Sequence, residues 1–239
     1  MATKAHPWSQ QEREAALRRC PLFAPWPEAR LTDLAAIARA EYYPRGAEIY
    51  AHDPERREAF VIASGEVEVS RGSAAGKKFV LGINGAPEIL AIVRLLDAPR
   101  IHYEYRAYED SVLLHLPCER LAAILDAEPI LWRGVALLMC ARHGDSLRLL
   151  NDQKLGSLDQ RMAATLADLA RMHGIAGERG TELGLRLPQE QLGAMLGVTR
   201  QSVNKLLRGF EDAGVIAIEY NRITIREPAA LDAIAAGQG

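Results

Sequence analysis

The segment Leu187–Ala213, LPQEQLGAMLGVTRQSVNKLLRGFEDA, limits the possible folds more than any other part of the chain. Its apolar residues fall into two groups at helical spacing: Leu192, Met195 and Leu196, then Val203, Leu206, Leu207 and Phe210. Pro188 suits a first helical turn, where a missing N–H costs nothing. Gly197 follows the first group, where a sharp turn needs a residue that adopts the left-handed conformation cheaply. Thr199 stands where a hydroxyl can cap the next helix, and Gly214 stands where that helix should stop. The spacing therefore predicts two short helices joined by a tight turn. That is the helix-turn-helix arrangement, whose second helix can enter a DNA major groove.

The polar side of the second helix carries Arg200, Gln201, Asn204, Lys205 and Arg208, with Thr199 and Ser202 at its start. Arginine pairs with guanine O6 and N7, glutamine and asparagine pair with adenine N6 and N7, and both basic types neutralise phosphate. These seven residues are the candidate DNA contacts. A generic amphipathic helix pair with a solvated face would look the same up to this point, and two further features separate the readings. Val215–Ile218 and Arg222–Ile225 alternate in β fashion around the turn-like Tyr220-Asn221, which predicts a short hairpin, or wing. Residues 186–208 hold four basic residues (Arg186, Arg200, Lys205 and Arg208) against one acid, Glu190, although the whole chain carries a net charge of −2. A phosphate-binding face needs that local excess, not a basic protein.

With 239 residues, 49% hydrophobic and 25% charged, the chain is long enough for two domains and has an ordinary globular composition. It has no run of 18 apolar residues and no apolar signal core, so a cytoplasmic protein without a membrane span is expected. Cys20, Cys118 and Cys140 are scattered and odd in number, which fits a reducing compartment and is too few for an iron–sulfur cluster. The three are expected to be small buried hydrophobes. The six histidines (His6, His52, His102, His115, His143 and His173) show no metal-ligand spacing, so no metal site is predicted.

Upstream of the paired helices the pattern changes twice. Residues 1–43 are helical and irregular, broken by Pro7, Pro21, Pro25 and Pro27, with a helix over Pro27–Arg39. Short β segments follow at Glu48–Ala51, Ala59–Ala63, Glu66–Ser70, Lys78–Leu81, Tyr103–Ala107 and Val112–Leu116, with a helical insert at Pro87–Leu96. Many short, glycine-punctuated strands predict a small antiparallel barrel or jelly roll. After a helix at Glu119–Leu125, Pro129 opens a long helix to about Leu150, with Ile130, Leu131, Val135, Leu138, Leu149 and Leu150 at helical steps. A helix between two domains has little of its own to bury against, so pairing with its twin in a second subunit is expected. Asn151–Gly156 is the predicted hinge, Ser157–His173 a further helix, and Gly174–Gly184 a loop or ribbon. The fold class is α+β: a jelly roll with N-terminal helices over 1–128, a long dimerisation helix over 129–150, and a winged helix-turn-helix over 151–239.

This order of parts resembles the Crp–Fnr family of bacterial transcription regulators. FVIASGEVEVSR at Phe60–Arg71 is similar to that family's strand-turn-strand signature around Gly65-Glu66, and Leu187–Ile216 is similar to its helix-turn-helix. The resemblance implies a homodimeric, sequence-specific regulator that is not an enzyme, with double-stranded DNA, a second copy and RNA polymerase as partners. It also implies that Arg200 starts the recognition helix and that Asn204 and Lys205 face DNA. Gln201 departs from the family's usual glutamate, which changes the preferred partner from cytosine N4 to adenine.

The resemblance further implies a small effector bound between jelly roll and long helix. Its candidate contacts are Glu88, Ile89, Arg100, His102, Asp145 and Ser146. A cyclic nucleotide is not expected there. Pro87 removes an amide donor, Leu90 stands where a glycine would let backbone approach phosphate, and Ile101 follows Arg100 where a hydroxyl is wanted. DNA binding without any effector is the alternative reading. A jelly-roll enzyme is the other class to weigh, but the strands lack the clustered histidines such enzymes use to hold a metal.

Overall fold

A computed structural model describes residues 4–5, 8–49, 57–72, 78–96, 103–185, 187–219 and 222–237. The chain falls into two compact units, Met1–Ala141 and Arg142–Gly239. Among the described residues no helix is long and apolar enough to cross a membrane.

The first unit runs β1 (Lys4–Ala5), α1 (Gln10–Arg19), α2 (Glu28–Ile37), β2 (Arg39–Tyr43), β3 (Glu48–Ile49), β4 (Glu58–Ser64), β5 (Glu66–Gly72), β6 (Lys78–Gly85), β7 (Ile89–Leu90), a 3-10 turn (Ile92–Leu96), β8 (Glu104–Ala107), β9 (Ser111–Pro117) and α3 (Cys118–Ala127). A 3-10 turn at Pro129–Leu131 then leads into α4 (Trp132–Leu155), which crosses into the second unit. The strands form two antiparallel sheets, ordered β1-β2-β9-β4-β7 and β3-β8-β5-β6. The expected jelly roll of short strands is therefore present.

Alternation along β4 and β9 explains the layering. Phe60, Ile62 and Leu113 join Ile49, Val67, Leu90 and Tyr105 in a core between the two sheets. Ala59, Val61, Leu114 and Leu116 face the other way, into a core shared with Leu17, Leu31, Leu34 and Leu121 of the flanking helices and with Phe23 between α1 and α2. A sheet covered on both faces gives near-continuous apolar runs such as AFVIA and VLLHL rather than clean alternation.

A polar network centred on His115 lies inside this apolar frame. His115 is 2% exposed, with Nδ1 3.0 Å from Glu58 Oε2 and Nε2 3.0 Å from the Tyr43 hydroxyl. Tyr43 donates its own hydrogen to Glu41 Oε2 at 2.9 Å, so toward His115 its oxygen accepts. Arg39 pairs with both Glu58 and Glu41 and closes the network. Buried charges persist when they are paired and hydrogen-bonded in this way.

Several boundaries differ from the sequence expectations. Helix α1 stands out within the irregular N-terminal region because Ser9 and Glu12 form a reciprocal capping box. The insert at Pro87–Leu96 is not one helix: Ile89 and Leu90 pair with Val61 and Phe60, and only Ile92–Leu96 turns. Asn151–Gly156 is not a hinge over its length. The helical backbone continues to Leu155, and the break comes at Gly156, because Ser157 and Gln160 cap the next helix. Tyr50, Ala51, Tyr220 and Asn221 lie outside the described residues.

The face of α4 also needs correction. Leu131 and Val135 are buried in the first unit's own core, and Leu138 packs against it, so those residues do not await a second copy. Among the described residues of this run the outward apolar residues are Ile130, Leu137, Leu147 and Leu150, at 68%, 59%, 48% and 52% exposure, so the expected Ile130 and Leu150 are outward, and Cys140 is exposed as well. Leu137, Cys140, Gly144 and Leu147 recur at three- and four-residue steps, the spacing of a helix–helix seam. Cys140 thus departs from the expectation of burial, whereas Cys20 and Cys118 follow it. Desolvation pushes the Cys118 thiol up to about 11, which disfavours the reactive thiolate.

The second unit begins within α4 and continues with α5 (Leu158–His173), β10 (Gly174–Gly177), β11 (Gly180–Leu183), α6 (Gln189–Leu196), α7 (Arg200–Asp212), β12 (Ile216–Glu219), β13 (Arg222–Ile225) and α8 (Pro228–Ala235). Its sheet is ordered β10-β11-β13-β12. Met162, Leu166, Leu169, Leu192, Leu196, Val203, Leu207, Phe210 and Leu231 are buried.

Candidate nucleic-acid interface

The turn between α6 and α7 is built by backbone geometry. Gly197 has φ +69° and ψ +29°, a left-handed conformation that would strain any residue with a Cβ. Its N–H and that of Val198 both donate to the Gly193 carbonyl, which closes the end of α6. Gly193 carries a second constraint that sequence reasoning missed. A Cβ there would lie 2.8 Å from the Val198 carbonyl oxygen, so only glycine lets the chain fold back this tightly. Thr199 then caps α7: its hydroxyl accepts from Ser202 N–H at 3.3 Å and lies 3.1 Å from the Ser202 hydroxyl.

Helix α7 separates its residues cleanly. Val203, Leu207 and Phe210 are buried, while Met195 and Leu206, expected in the core, are only half-buried. Arg200, Gln201, Lys205 and Arg208 are exposed and Asn204 is half-buried. At about 100° per residue these five span an arc of about 140° that contains none of the buried residues, and at 1.5 Å per residue they extend about 12 Å along the axis. That length matches the width of a major groove. Among the described residues none of the five side chains makes a hydrogen bond or ion pair, so their donors and acceptors face outward uncommitted.

The wing is fixed against the far end of this helix. Phe210 and Glu211 carbonyls accept from Val215 and Gly214 N–H, both at 2.9 Å, which terminates α7. Glu211 Oε1 accepts from Ile218 N–H at 3.1 Å and ties the helix end to β12. Ile218 pairs with Ile223 and Ala217 with Thr224, so the expected hairpin is present. A four-stranded sheet rather than a lone hairpin supports it: of the two readings of Gly174–Gly184, loop or ribbon, the ribbon is present as β10 and β11, and β11 pairs with β13. The interspersed glycines, at 174, 177, 180 and 184, hid the strand character of that stretch.

Residues 160–234 match the family model of a Crp-like helix-turn-helix domain, and residues 40–128 match that of a cyclic nucleotide-binding domain. The chain belongs to the Crp–Fnr family of transcription regulators. Among curated relatives of this Crp–Fnr chain, the cyclic AMP receptor protein of Thermus thermophilus is 26% identical over 82% of this chain and 87% of its own. The global nitrogen regulator of Synechococcus elongatus is 23% identical over 80% and 87%. A mutant CooA from Carboxydothermus hydrogenoformans superposes with a TM-score of 0.66 at 25% identity, covering 84% of this chain and 88% of that one. FixK2 from Bradyrhizobium japonicum shares the fold, with a TM-score of 0.73 at 16% identity over 83% and 97%.

The effector candidates of this Crp–Fnr chain are placed less coherently than the α7 residues. Glu88 precedes β7, its carbonyl accepting from Ile62 N–H at 2.9 Å, and stands four residues ahead of the Ile92–Leu96 turn. Ala91, with φ +57°, rather than Glu88, adjoins that turn. Ile89 is buried in the helix-covered core, and Leu90 and Ala91 in the core between the sheets. Asp145 and Ser146 are exposed on α4 in the second unit, where the Ser146 hydroxyl bonds back to the Arg142 carbonyl at 2.9 Å. Arg100 and His102 lie outside the described residues. Among the described residues no group of three or more His, Cys, Asp or Glu side chains is placed to hold a metal.

Proposed function

We propose that this chain is a homodimeric regulator of transcription that reads duplex DNA with the outward arc of α7. The uncommitted side chains of Arg200, Gln201, Asn204, Lys205 and Arg208 carry this reading. Basic residues on the arc neutralise phosphates and fix register, and Arg200, Gln201 and Asn204 contact base edges. Thr199 and Ser202, at the helix start, lie where a phosphate would meet α7's N-terminal amides. The outward residues Ile130, Leu137 and Leu147 of the long helical run support pairing with a second copy. Two recognition helices would then meet half-sites about one helical turn, roughly 34 Å, apart. In this division of labour residues 1–128 form the sensory part, 129–150 the dimerisation helix and 151–239 the DNA-binding part. RNA polymerase is the partner through which a DNA-bound dimer acts, and the chain is a regulator, not an enzyme.

Site selection from random duplexes tests this directly. It should return a two-fold symmetric sequence with adenine favoured opposite Gln201, and a half-site calling for cytosine there would contradict the assignment of that residue.

A second reading, regulation without a cyclic nucleotide or any other effector, is favoured by the burial of Leu90 and Ala91 in the core between the sheets. A phosphate cradle needs open backbone amides, and this segment turns inward instead. Cyclic AMP, cyclic GMP and cyclic di-GMP are each expected to leave the melting temperature unchanged.

A further inference from the structure

The helix-turn-helix is gripped by a side chain from outside its own two helices. Arg161, on the first turn of α5, donates a guanidinium hydrogen bond from Nη2 to the carbonyl of Leu196. Leu196 is the last residue of α6, 4% exposed, and the turn begins at the next residue. Its carbonyl is one of the orphan acceptors at a helix C-terminus, and the Gly197 and Val198 amides are already committed to Gly193. A cation at that end also meets the negative pole of the helix dipole. The guanidinium Nε is buried without a hydrogen-bond partner, so the group's position is set by its bond to Leu196 and by packing, not by a carboxylate.

We propose that Arg161 is a positioning residue for DNA recognition: by clamping the end of α6 to α5, it fixes the turn from which α7 projects its side chains. This rests on the reading of α7 as the DNA-contacting helix. The guanidinium is spent on a carbonyl within the protein, so its removal should disturb the placement of α7 without deleting a phosphate partner. That distinction can be measured. The slope of log affinity against log salt falls by about one when a cation paired with a phosphate is removed, and it does not change when positioning alone is impaired.

The test uses full-length wild type, Arg161→Met and Arg161→Lys, with the duplex recovered by site selection. Fluorescence anisotropy is read at several salt concentrations. Amide hydrogen exchange is followed in parallel across 197–202 and within α5. Arg161→Met is expected to weaken specific binding about tenfold or more, the scale of a hydrogen bond to a charged group, with an unchanged salt slope. Exchange should accelerate at 197–202 while α5 stays protected. Arg161→Lys retains a cation that can reach the carbonyl and should recover part of both effects. It also keeps the test decisive should the methionine variant unfold. Unchanged affinity together with unchanged exchange at the turn would overturn the proposal, as would a slope reduced by about one. If the wild type ignores every duplex, the DNA-binding reading fails, and exchange at 197–202 alone still decides whether Arg161 anchors the turn.

Discussion

Gln201 and Arg200 are neighbours in sequence yet differ in what their replacement should reveal. Both are exposed at the start of α7, where base edges are reached first in a helix-turn-helix. Arg200→Ala is expected to cost about 1–3 kcal/mol in specific binding and to loosen sequence choice at one base pair if its partner is guanine. A uniform loss across all sequences would assign it to phosphate. His115 has the opposite character, buried and bound to Glu58 and Tyr43. His115→Leu leaves the Glu58 carboxylate without that partner inside the sheet and should destabilise the first unit by about 3 kcal/mol or more, measured by denaturant unfolding. A change below about 1 kcal/mol would mean that Arg39 alone satisfies Glu58. The sequence showed the α7 residues because spacing alone sorts them onto one arc. It did not show the His115 network, whose members lie up to 76 residues apart, because only strand register brings Arg39, Glu58 and His115 side by side.

At the scale of elements, the α6–α7 pair depends on two glycines for different reasons. Gly197 has open space around its Cβ position, so Gly197→Ala should cost only the left-handed strain, about 1 kcal/mol. Gly193→Ala instead drives a methyl toward a backbone carbonyl that cannot move without opening the turn. It should lower DNA affinity more than Gly197→Ala does, even where the two melt alike. Equal losses of affinity would show that the tight approach at Gly193 is not what orients α7. Leu207→Asp, which buries an unpaired charge, should unfold or displace α7, and circular dichroism with a binding assay would show it. Element types were legible wherever period and caps agreed, as in α5, α7 and the wing. They were not legible at β2, which follows directly on α2 with one residue between, and only in part at β10 and β11, where glycines dilute the β signal and left loop and ribbon both open. At Pro87–Leu96 the sequence did not show that Ile89 and Leu90 pair as a strand, so that Ala91, three residues beyond Glu88, adjoins the turn.

For the whole molecule, the long helix α4 links the two units and carries two faces. One face, with Val135 and Leu138, packs on the first unit's core; the other, with Leu137 and Leu147, is outward. Sequence periodicity detected apolar steps but could not say which face was already covered, because that depends on the jelly roll's own surface. Leu137→Glu should convert a dimer into monomers by light scattering, with little loss of stability in the first unit. A variant that remains dimeric would place the seam elsewhere. Loss of the dimer should also weaken binding to a two-half-site duplex far more than binding to one half-site, since linking two modules raises the effective concentration of the second.

The most direct test of the account is the affinity of the purified full-length chain for duplex DNA, followed by anisotropy from low to moderate salt. Binding should be saturable, weaken with salt, be at least about a thousandfold tighter for a selected site than for random sequence, in the range of known specific regulators, and lose this preference when Arg200 and Gln201 are both replaced by alanine. Equal affinity for every sequence, or no binding at low salt, would contradict it.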